Sequence, residues 1–203
     1  EGRGGFIHDD QTGRAVEAAG DGQLLFLAAG KVRGLLPQRF VQLGGIHRQL
    51  AAQSSPLRFH LTVIGGYVDA DTRIEFERMI GAPGRREWIE YLGRVSDDAK
   101  WRAFREADIF CFPTYFAWEG QPANVIEAMA FGLPVVTTRW RAIPELLPEN
   151  YTGLVDPRSP DQVAAALVNA LTEDGAPHRM TFEKRFTLER HLDTLATALT
   201  KVD

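Results

Sequence analysis

Two glutamates in the segment EGQPANVIE, Glu119 and Glu127, are separated by seven residues. Gly120 and Pro122 stand between them and prevent one continuous helix, because proline is accepted in the first helical turn and not further inside. Glu119 is therefore predicted in the loop before a helix, and Glu127 inside that helix among mainly apolar neighbours. Since a buried ionised carboxylate needs a partner, Glu127 is expected to be paired, protonated or directed into a cleft.

The start of this predicted helix has the properties of an anion site. The backbone N–H groups of Ala123, Asn124 and Val125 have no acceptor within the helix, and the positive end of the helix dipole lies behind them. A carboxylate can also accept hydrogen bonds from two neighbouring hydroxyls. Phosphate donors, a diol acceptor and a second carboxylate in one cleft together indicate a sugar nucleotide as the ligand.

Simpler interpretations remain open for these polar residues. In one alternative Glu127 pairs with Arg139 or Arg141, and Glu119 is a solvated loop residue. The five histidines show no metal-ligand spacing and are expected to be solvated or packed.

Composition restricts the class of protein. The chain has 203 residues, 44% of them hydrophobic and 25% charged, which is ordinary for a globular protein. Its net charge of −4 argues against a general nucleic-acid binder, although it permits a small anionic ligand. The single cysteine, Cys111, forbids an internal disulfide, is expected to be a small buried hydrophobe, and suits a cytoplasmic location. No stretch approaches the roughly 20 apolar residues of a membrane span.

Short apolar runs alternate with helical patterns along the chain. Strands are predicted at 24–28, 59–64, 89–93, 109–112, 135–138 and 153–155. Helices are predicted at 35–52, 71–80 with Asp71 as its cap, 99–107, after Pro122, and at 143–147, 162–172 and 188–199. This order predicts an α/β fold with a parallel, Rossmann-like sheet covered by helices on both faces. Residues 1–23 are predicted to form a linker, and residues 24–203 a single domain.

Ligands of such open sheets bind beyond the carboxyl ends of the strands. The predicted ends are Gly30-Lys31, Gly65-Gly66, Gly93-Arg94, Pro113-Thr114 and Thr138-Arg139. Three of these five ends carry glycine, which permits close approach of a ligand to the backbone. Glycine is common in loops, so this observation alone is weak.

The stretch EGQPANVIEAMAFGLPVVTT, followed by IPELL and TGLVDP, resembles the carboxyl-terminal half of retaining, GT-B-fold glycosyltransferases (group 1, family 4) that use nucleotide-sugar donors. The resemblance extends backwards through ADIFCFPT, YLGRVSD and FHLTVIGG, and forwards to KRFTLERH. It covers residues 24–199, and residues 107–157 carry its specific part. A pair of glutamates alone would not identify the family.

The resemblance implies a role for each matching position. Glu127 would bind the ribose hydroxyls of the donor, and Glu119 would contact the donor sugar near the reacting carbon. The main chain of Arg94 and Val95 would meet the base, and the backbone around 120–124 would hold sugar hydroxyls and phosphate. The implied donor site also includes Gly65, Gly120, Gln121, Pro122, Ala123, Asn124 and Val125. Lys31 and Arg33 would supply cations for the diphosphate, but AAGKVRGLL is shorter than the family pattern and leaves open which of them contacts it. Trp140 and Arg141 replace the small residues that the family commonly has before IPE.

The resemblance also implies a reaction. The acceptor hydroxyl attacks from the face that the nucleotide diphosphate leaves, and neither a metal nor another cofactor is expected. The acceptor, a saccharide or a lipid-linked molecule, would bind a missing amino-terminal domain, and the full enzyme would associate peripherally with a membrane during polysaccharide or glycoconjugate synthesis. The alternatives are a non-catalytic nucleotide-sugar-binding or interaction module and, less favoured, a nucleotide-sugar epimerase.

Overall fold

The computed structural model describes residues 25–29, 32–34, 60–67 and 70–200, the first two ranges by their backbone. The predicted linker 1–23, the predicted helix 35–52 and Lys31 lie outside the described residues.

The described residues form strands and helices in alternation. The strands are β1 Leu25–Ala29, β2 Val32–Gly34, β3 His60–Ile64, β4 Ile89–Gly93, β5 Ile109–Phe112, β6 Val135–Thr138 and β7 Leu154–Val155. The α-helices are α1 Ala70–Ile80, α2 Asp97–Glu106, α3 Ala123–Ala130, α4 Pro160–Ala170, α5 Ala176–Arg185 and α6 Leu188–Leu199, and 3₁₀ turns occur at Arg85–Glu87 and Ile143–Leu146.

Six of these strands run parallel in the order β4-β3-β2-β5-β6-β7. The chain moves outward from β2 to β4 on one side and from β5 to β7 on the other, which is the doubly wound order of a Rossmann fold. The order reverses between β2 and β5, where Gly34 pairs with Cys111. A ligand crevice is expected beyond the carboxyl ends of these two strands.

β1 departs from the predicted all-parallel sheet. It pairs antiparallel with β3 and with β5, and the following β2 pairs parallel with both. The apolar run that predicted this strand contains no information about direction, because pairing with either orientation buries the same side chains.

The core confirms that helices cover both faces of the sheet. Every residue of β5 and of β6 is buried, Cys111 included, so neither face of these strands meets solvent. Phe104 of α2 stacks on Phe110 of β5 and on Phe131, with ring centroids 5.8 and 5.3 Å apart. The α2 and α3 helices are thereby joined above the sheet, and their relative position is fixed by aromatic packing.

Several boundaries differ from the prediction. α1 begins at Ala70, so Asp71 lies within its first turn and does not cap it. α2 begins at Asp97 after Ser96, two residues before the predicted start, because Asp97 and Asp98 favour the positive end of a helix. α5 was not predicted, since its apolar residues have little helical periodicity, although Pro177 in its first turn is a start signal.

Candidate functional site

Glu119 lies in the loop that connects β5 to α3, as predicted. Only 8% of the residue is exposed, and the Thr114 hydroxyl donates a hydrogen bond of 2.9 Å to its Oε2. The Phe116 N–H donates to Thr114 Oγ1 at 3.2 Å, and the Glu119 N–H donates to the Phe116 carbonyl at 3.1 Å. The alternative of a solvated loop carboxylate is therefore wrong, because the loop itself holds Glu119.

The carboxyl end of β6 supports the same loop. The Thr138 hydroxyl donates to the Thr114 carbonyl, and the Trp140 indole N–H donates to the Phe116 carbonyl at 2.7 Å. Trp140 thus ties the loop to the residues that follow β6, a role that the sequence could not assign. Arg141 adopts a left-handed backbone with φ of 50° and places its guanidinium 5.5 Å from the Trp140 ring.

α3 begins at Ala123, directly after the extended residue Pro122. The Val125 N–H donates to the Pro122 carbonyl at 3.1 Å, so the prediction that it faces a ligand is wrong. A proline carbonyl can accept this bond because Pro122 immediately precedes the helix. Within the described residues, the N–H groups left for an anion at this helix start are those of Ala123 and Asn124.

Glu127 is held by an ion pair between two helices. Its Oε1 lies 2.8 Å from Nζ of Lys100 on α2, and the exposed fractions of the two side chains are 1% and 15%. The alternative pairing with Arg139 or Arg141 is wrong, since both of these arginines are exposed and Lys100 occupies the position. Glu127 Oε2 is buried and has no hydrogen-bond partner in the part of the chain that the structure describes.

The electrostatic environment of Glu127 combines three effects. Burial raises the pKa of the Glu127 carboxyl above its ordinary value, the Lys100 ammonium opposes this effect, and Asp97 adds to it. The pKa remains raised overall. A ligand hydroxyl that donates to Oε2 would favour the ionised form, so binding and ionisation of this group should reinforce each other.

Asn124 brings further unsatisfied polar atoms to the same helix. It is 6% exposed, and neither its Oδ1 nor its Nδ2 has a partner among the described residues. Asn124 and Glu127 are three residues apart, so their side chains lie on the same side of α3. Buried polar atoms without partners destabilise a fold by about 1–3 kcal/mol each and are rare, so this side of α3 is a candidate position for a polar ligand.

Three predicted residues of the donor site lie just beyond the ends of β3 and β4. The Gly65 N–H donates to the Gly93 carbonyl at 2.9 Å, and the Tyr91 hydroxyl donates to the Gly65 carbonyl at 2.8 Å. The backbone of Gly65 is therefore engaged within the protein. Arg94 and Val95 follow β4, and the Arg94 side chain lies against Gly66.

The remaining predicted residues are placed only in part. Arg33 lies inside β2, opposite Thr62 and Phe110. Gly120 and Gln121 are exposed in the loop before α3. Among the described residues, no group of three or more His, Cys, Asp or Glu is placed to hold a metal. None of their helices has the length and apolar character required to cross a membrane.

Lys100 is the functional candidate that sequence reasoning missed. Its signal was present, because Lys100 and the buried Phe104 are four residues apart and therefore share one side of α2. A lysine on the buried side of an amphipathic helix requires an acidic partner. The partner could not be identified from the sequence, since it lies 27 residues away on a different helix.

Known proteins are similar to this chain in sequence and in fold. The family described as glycosyl transferases group 1 matches residues 42–173. The amylovoran biosynthesis glycosyltransferase AmsK of Erwinia amylovora is 33% identical over 122 residues, which are 58% of this chain and 29% of that protein. The O-antigen chain mannosyltransferase B of Escherichia coli is 29% identical over 127 residues, 62% of this chain and 32% of that protein.

A solved structure extends the comparison to the fold. The crystal structure of Anabaena Alr3699/HepE in complex with UDP-glucose superposes with a TM-score of 0.63 at 21% identity, and the match covers 78% of this chain and 45% of that one. The chain therefore spans less than half of that protein, and about a third of the curated relatives.

Proposed function

Since the chain belongs to the glycosyl transferases group 1 family, we propose that it binds the nucleotide-sugar donor of a retaining glycosyl transfer. The doubly wound sheet agrees with this role, because its switch point lies beside the loop and helix that carry the two glutamates. The acceptor and the remaining catalytic groups would come from outside this chain.

One observation carries the proposal. Inside α3, Glu127 has one oxygen fixed by Lys100, and its other oxygen is buried beside the amide of Asn124, with neither group partnered among the described residues. A ribose offers two adjacent hydroxyls as donors to such a carboxylate. The N–H groups of Ala123 and Asn124, one turn earlier on the same helix, are suited to the phosphates of the same molecule.

Glu119 has a different role in this proposal. Its carboxylate is held by Thr114 in the loop immediately before α3, where the sugar of a nucleotide bound at the helix start would extend. We assign to it the positioning of the sugar near the reacting carbon. As the bond from this carbon to the diphosphate breaks, negative charge grows on the leaving phosphate. The helix start and the cations Lys31 and Arg33 would stabilise that charge, and no metal is required.

The names of two relatives support a proposal for the product class. AmsK is named for amylovoran biosynthesis and a second relative for the O-antigen chain, so we propose a saccharide or lipid-linked acceptor in surface polysaccharide or glycoconjugate synthesis. A cytoplasmic site is consistent with a nucleotide-sugar donor. The base and the sugar are not encoded by any side chain that we can assign.

Calorimetric titration of the 203-residue chain with UDP, GDP and ADP tests the proposal. We expect one of these nucleotides to bind preferentially, and Glu127→Ala to weaken its binding roughly 10- to 100-fold, because a hydrogen bond to a charged group contributes about 1.5–3 kcal/mol. Glu149→Ala removes an exposed glutamate and serves as the matched control. Absence of binding by all three nucleotides would contradict donor binding and favour a non-catalytic interaction module.

A further inference from the structure

We propose that Lys100 is a positioning residue for the donor. It holds one oxygen of Glu127 so that the other is presented to the adjacent hydroxyls of a ribose, and it thereby makes the site selective for ribonucleotides. This inference rests on the proposed function, in which Glu127 accepts hydrogen bonds from the ribose, and it assigns to Lys100 the orientation of Glu127.

Two contacts hold the Lys100 ammonium in place. Its Nζ lies 2.8 Å from Glu127 Oε1 and 4.4 Å from the centre of the Trp101 ring. Trp101 is itself 3% exposed and stacks on Phe131 at 5.8 Å, just beyond the carboxyl end of α3. The ammonium is thus fixed between the Trp101 ring and the Glu127 carboxylate. Its ion pair with Glu127 joins α2 to α3.

The ion pair decides the orientation of the carboxylate as well as its charge. A planar carboxylate whose Oε1 is held by an ammonium has its Oε2 directed away from that ammonium. Oε2 is the atom that is buried without a partner among the described residues, on the same side of α3 as Asn124. Without Lys100, a carboxyl group in this position would take up a proton or rotate, and either change would remove the fixed acceptor.

Two nucleotides separate this role from a direct contact with phosphate. The unmodified chain is titrated with its preferred nucleoside diphosphate and with the 2′,3′-dideoxy form of the same nucleotide. We expect the ribonucleotide to bind at least about tenfold more tightly, since the dideoxy form leaves Oε2 unpartnered. Lys100→Met should weaken ribonucleotide binding by about tenfold and leave dideoxynucleotide binding nearly unchanged.

Two further variants protect the test against loss of folding. Lys100→Arg keeps the cation and should retain most of the preference for the ribonucleotide. Glu127→Gln should lose that preference, and addition of Lys100→Met to it should cause no further loss, because the residue acts through Glu127. The double variant buries no unpaired charge, so we expect it to fold even under conditions that unfold Lys100→Met alone.

Each outcome has a separate meaning. If Lys100→Met keeps both the affinity and the preference for the ribonucleotide, the positioning role is wrong and the proposed function stands. If Lys100→Met weakens both nucleotides equally, Lys100 contacts the diphosphate, and the positioning role is again wrong. If the unmodified chain binds no nucleotide, the proposed function itself fails.

Discussion

The two glutamates are held in place by different kinds of structure. In the loop 113–122, Glu119 accepts a hydrogen bond from Thr114, five residues earlier in the chain. In α3, Glu127 pairs with Lys100, 27 residues away on another helix. A loop can fold its own hydroxyls and N–H groups around a carboxylate, whereas a helix has used its backbone groups for itself. The position of Glu119 therefore depends on local hydrogen bonds, and that of Glu127 on how helices pack.

The packing of α3 extends to its carboxyl end. Gly132, just after the helix, lies directly against Gly175 at the start of α5. The Arg179 guanidinium of α5 donates a hydrogen bond of 2.5 Å to the Ala130 carbonyl. Ala130 is the last residue of α3, so its carbonyl has no N–H donor within the helix. α5 thus contacts the carboxyl end of the helix that carries Glu127.

The largest effect on stability is expected from adding a side chain where α3 and α5 meet. A Cβ atom added at Gly175 would overlap the Gly132 carbonyl, which is backbone and cannot rotate away. We expect Gly175→Ala to destabilise the fold by about 3 kcal/mol, the upper end for overpacking. The midpoint of thermal unfolding should fall by roughly 6–12 °C, which differential scanning calorimetry measures.

Gly120→Ala is the matched control in the loop. A Cβ atom there would have nothing within 4 Å, so we expect a change of less than about 0.5 kcal/mol. Equal destabilisation by Gly175→Ala and Gly120→Ala would show that the loop is packed as tightly as the contact between α3 and α5. The loop and the helix would then not differ in how they hold their glutamates.

The next largest effect is a dependence of stability on pH, which we expect from His178 of α5. His178 is 2% exposed, packs edge-on against Tyr151 with ring centroids 4.6 Å apart, and has no hydrogen-bond partner for either ring nitrogen among the described residues. Burial lowers its pKa from 6.5 to about 4, and the nearby Glu173 carboxylate opposes this only in part. The folded protein therefore keeps this imidazole neutral at a pH where the unfolded chain protonates it.

The direction of the pH effect on stability follows from the linkage between protonation and folding. Between pH 6.5 and pH 4 the unfolded state binds more protons at this site, so stability is fully present above pH 6.5 and falls as the pH decreases. From pH 7 to pH 5 we expect a loss of roughly 2 kcal/mol from this group. Urea unfolding at both pH values measures it. His178→Phe should reduce the loss by that amount, and an unchanged pH dependence in this variant would contradict the assignment.

The sequence predicted what depends on nearby residues. β4, β5, β6 and α6 have the predicted bounds, because each is a short apolar run or an amphipathic pattern between clear turn signals. The placement of Glu119 before the helix and Glu127 inside it followed from Gly120 and Pro122 alone. These features need no knowledge of what packs against them.

The sequence could not predict what depends on tertiary contacts. The partner of Glu127, the contact between Gly132 and Gly175, and the antiparallel direction of β1 all join segments that are distant in the chain. Trp140 was identified as unusual, yet its partner is a backbone carbonyl, which carries no sequence signal. Where one partner is a main-chain atom or lies on another element, spacing in the sequence contains no information about the pair.

The smallest effect is expected in the loop. Trp140→Phe removes the indole donor to the Phe116 carbonyl, which keeps the Glu119 N–H as its second donor. The cost to stability should therefore stay near the low end for one hydrogen bond, about 0.5 kcal/mol. Because only the loop loosens, we expect the nucleoside diphosphate to bind as before, while the additional affinity contributed by the sugar of the nucleotide sugar falls a few-fold.

Trp118→Phe supplies the control, since Trp118 lies in the same loop and is 85% exposed. Titration of the three proteins with the diphosphate and with its sugar conjugate separates the two regions. A fall in affinity for the diphosphate itself in Trp140→Phe would mean that the loop also positions α3. The two glutamates would then be held by one connected network, in which hydrogen bonds from the end of β6 act on Glu127 as well as on Glu119.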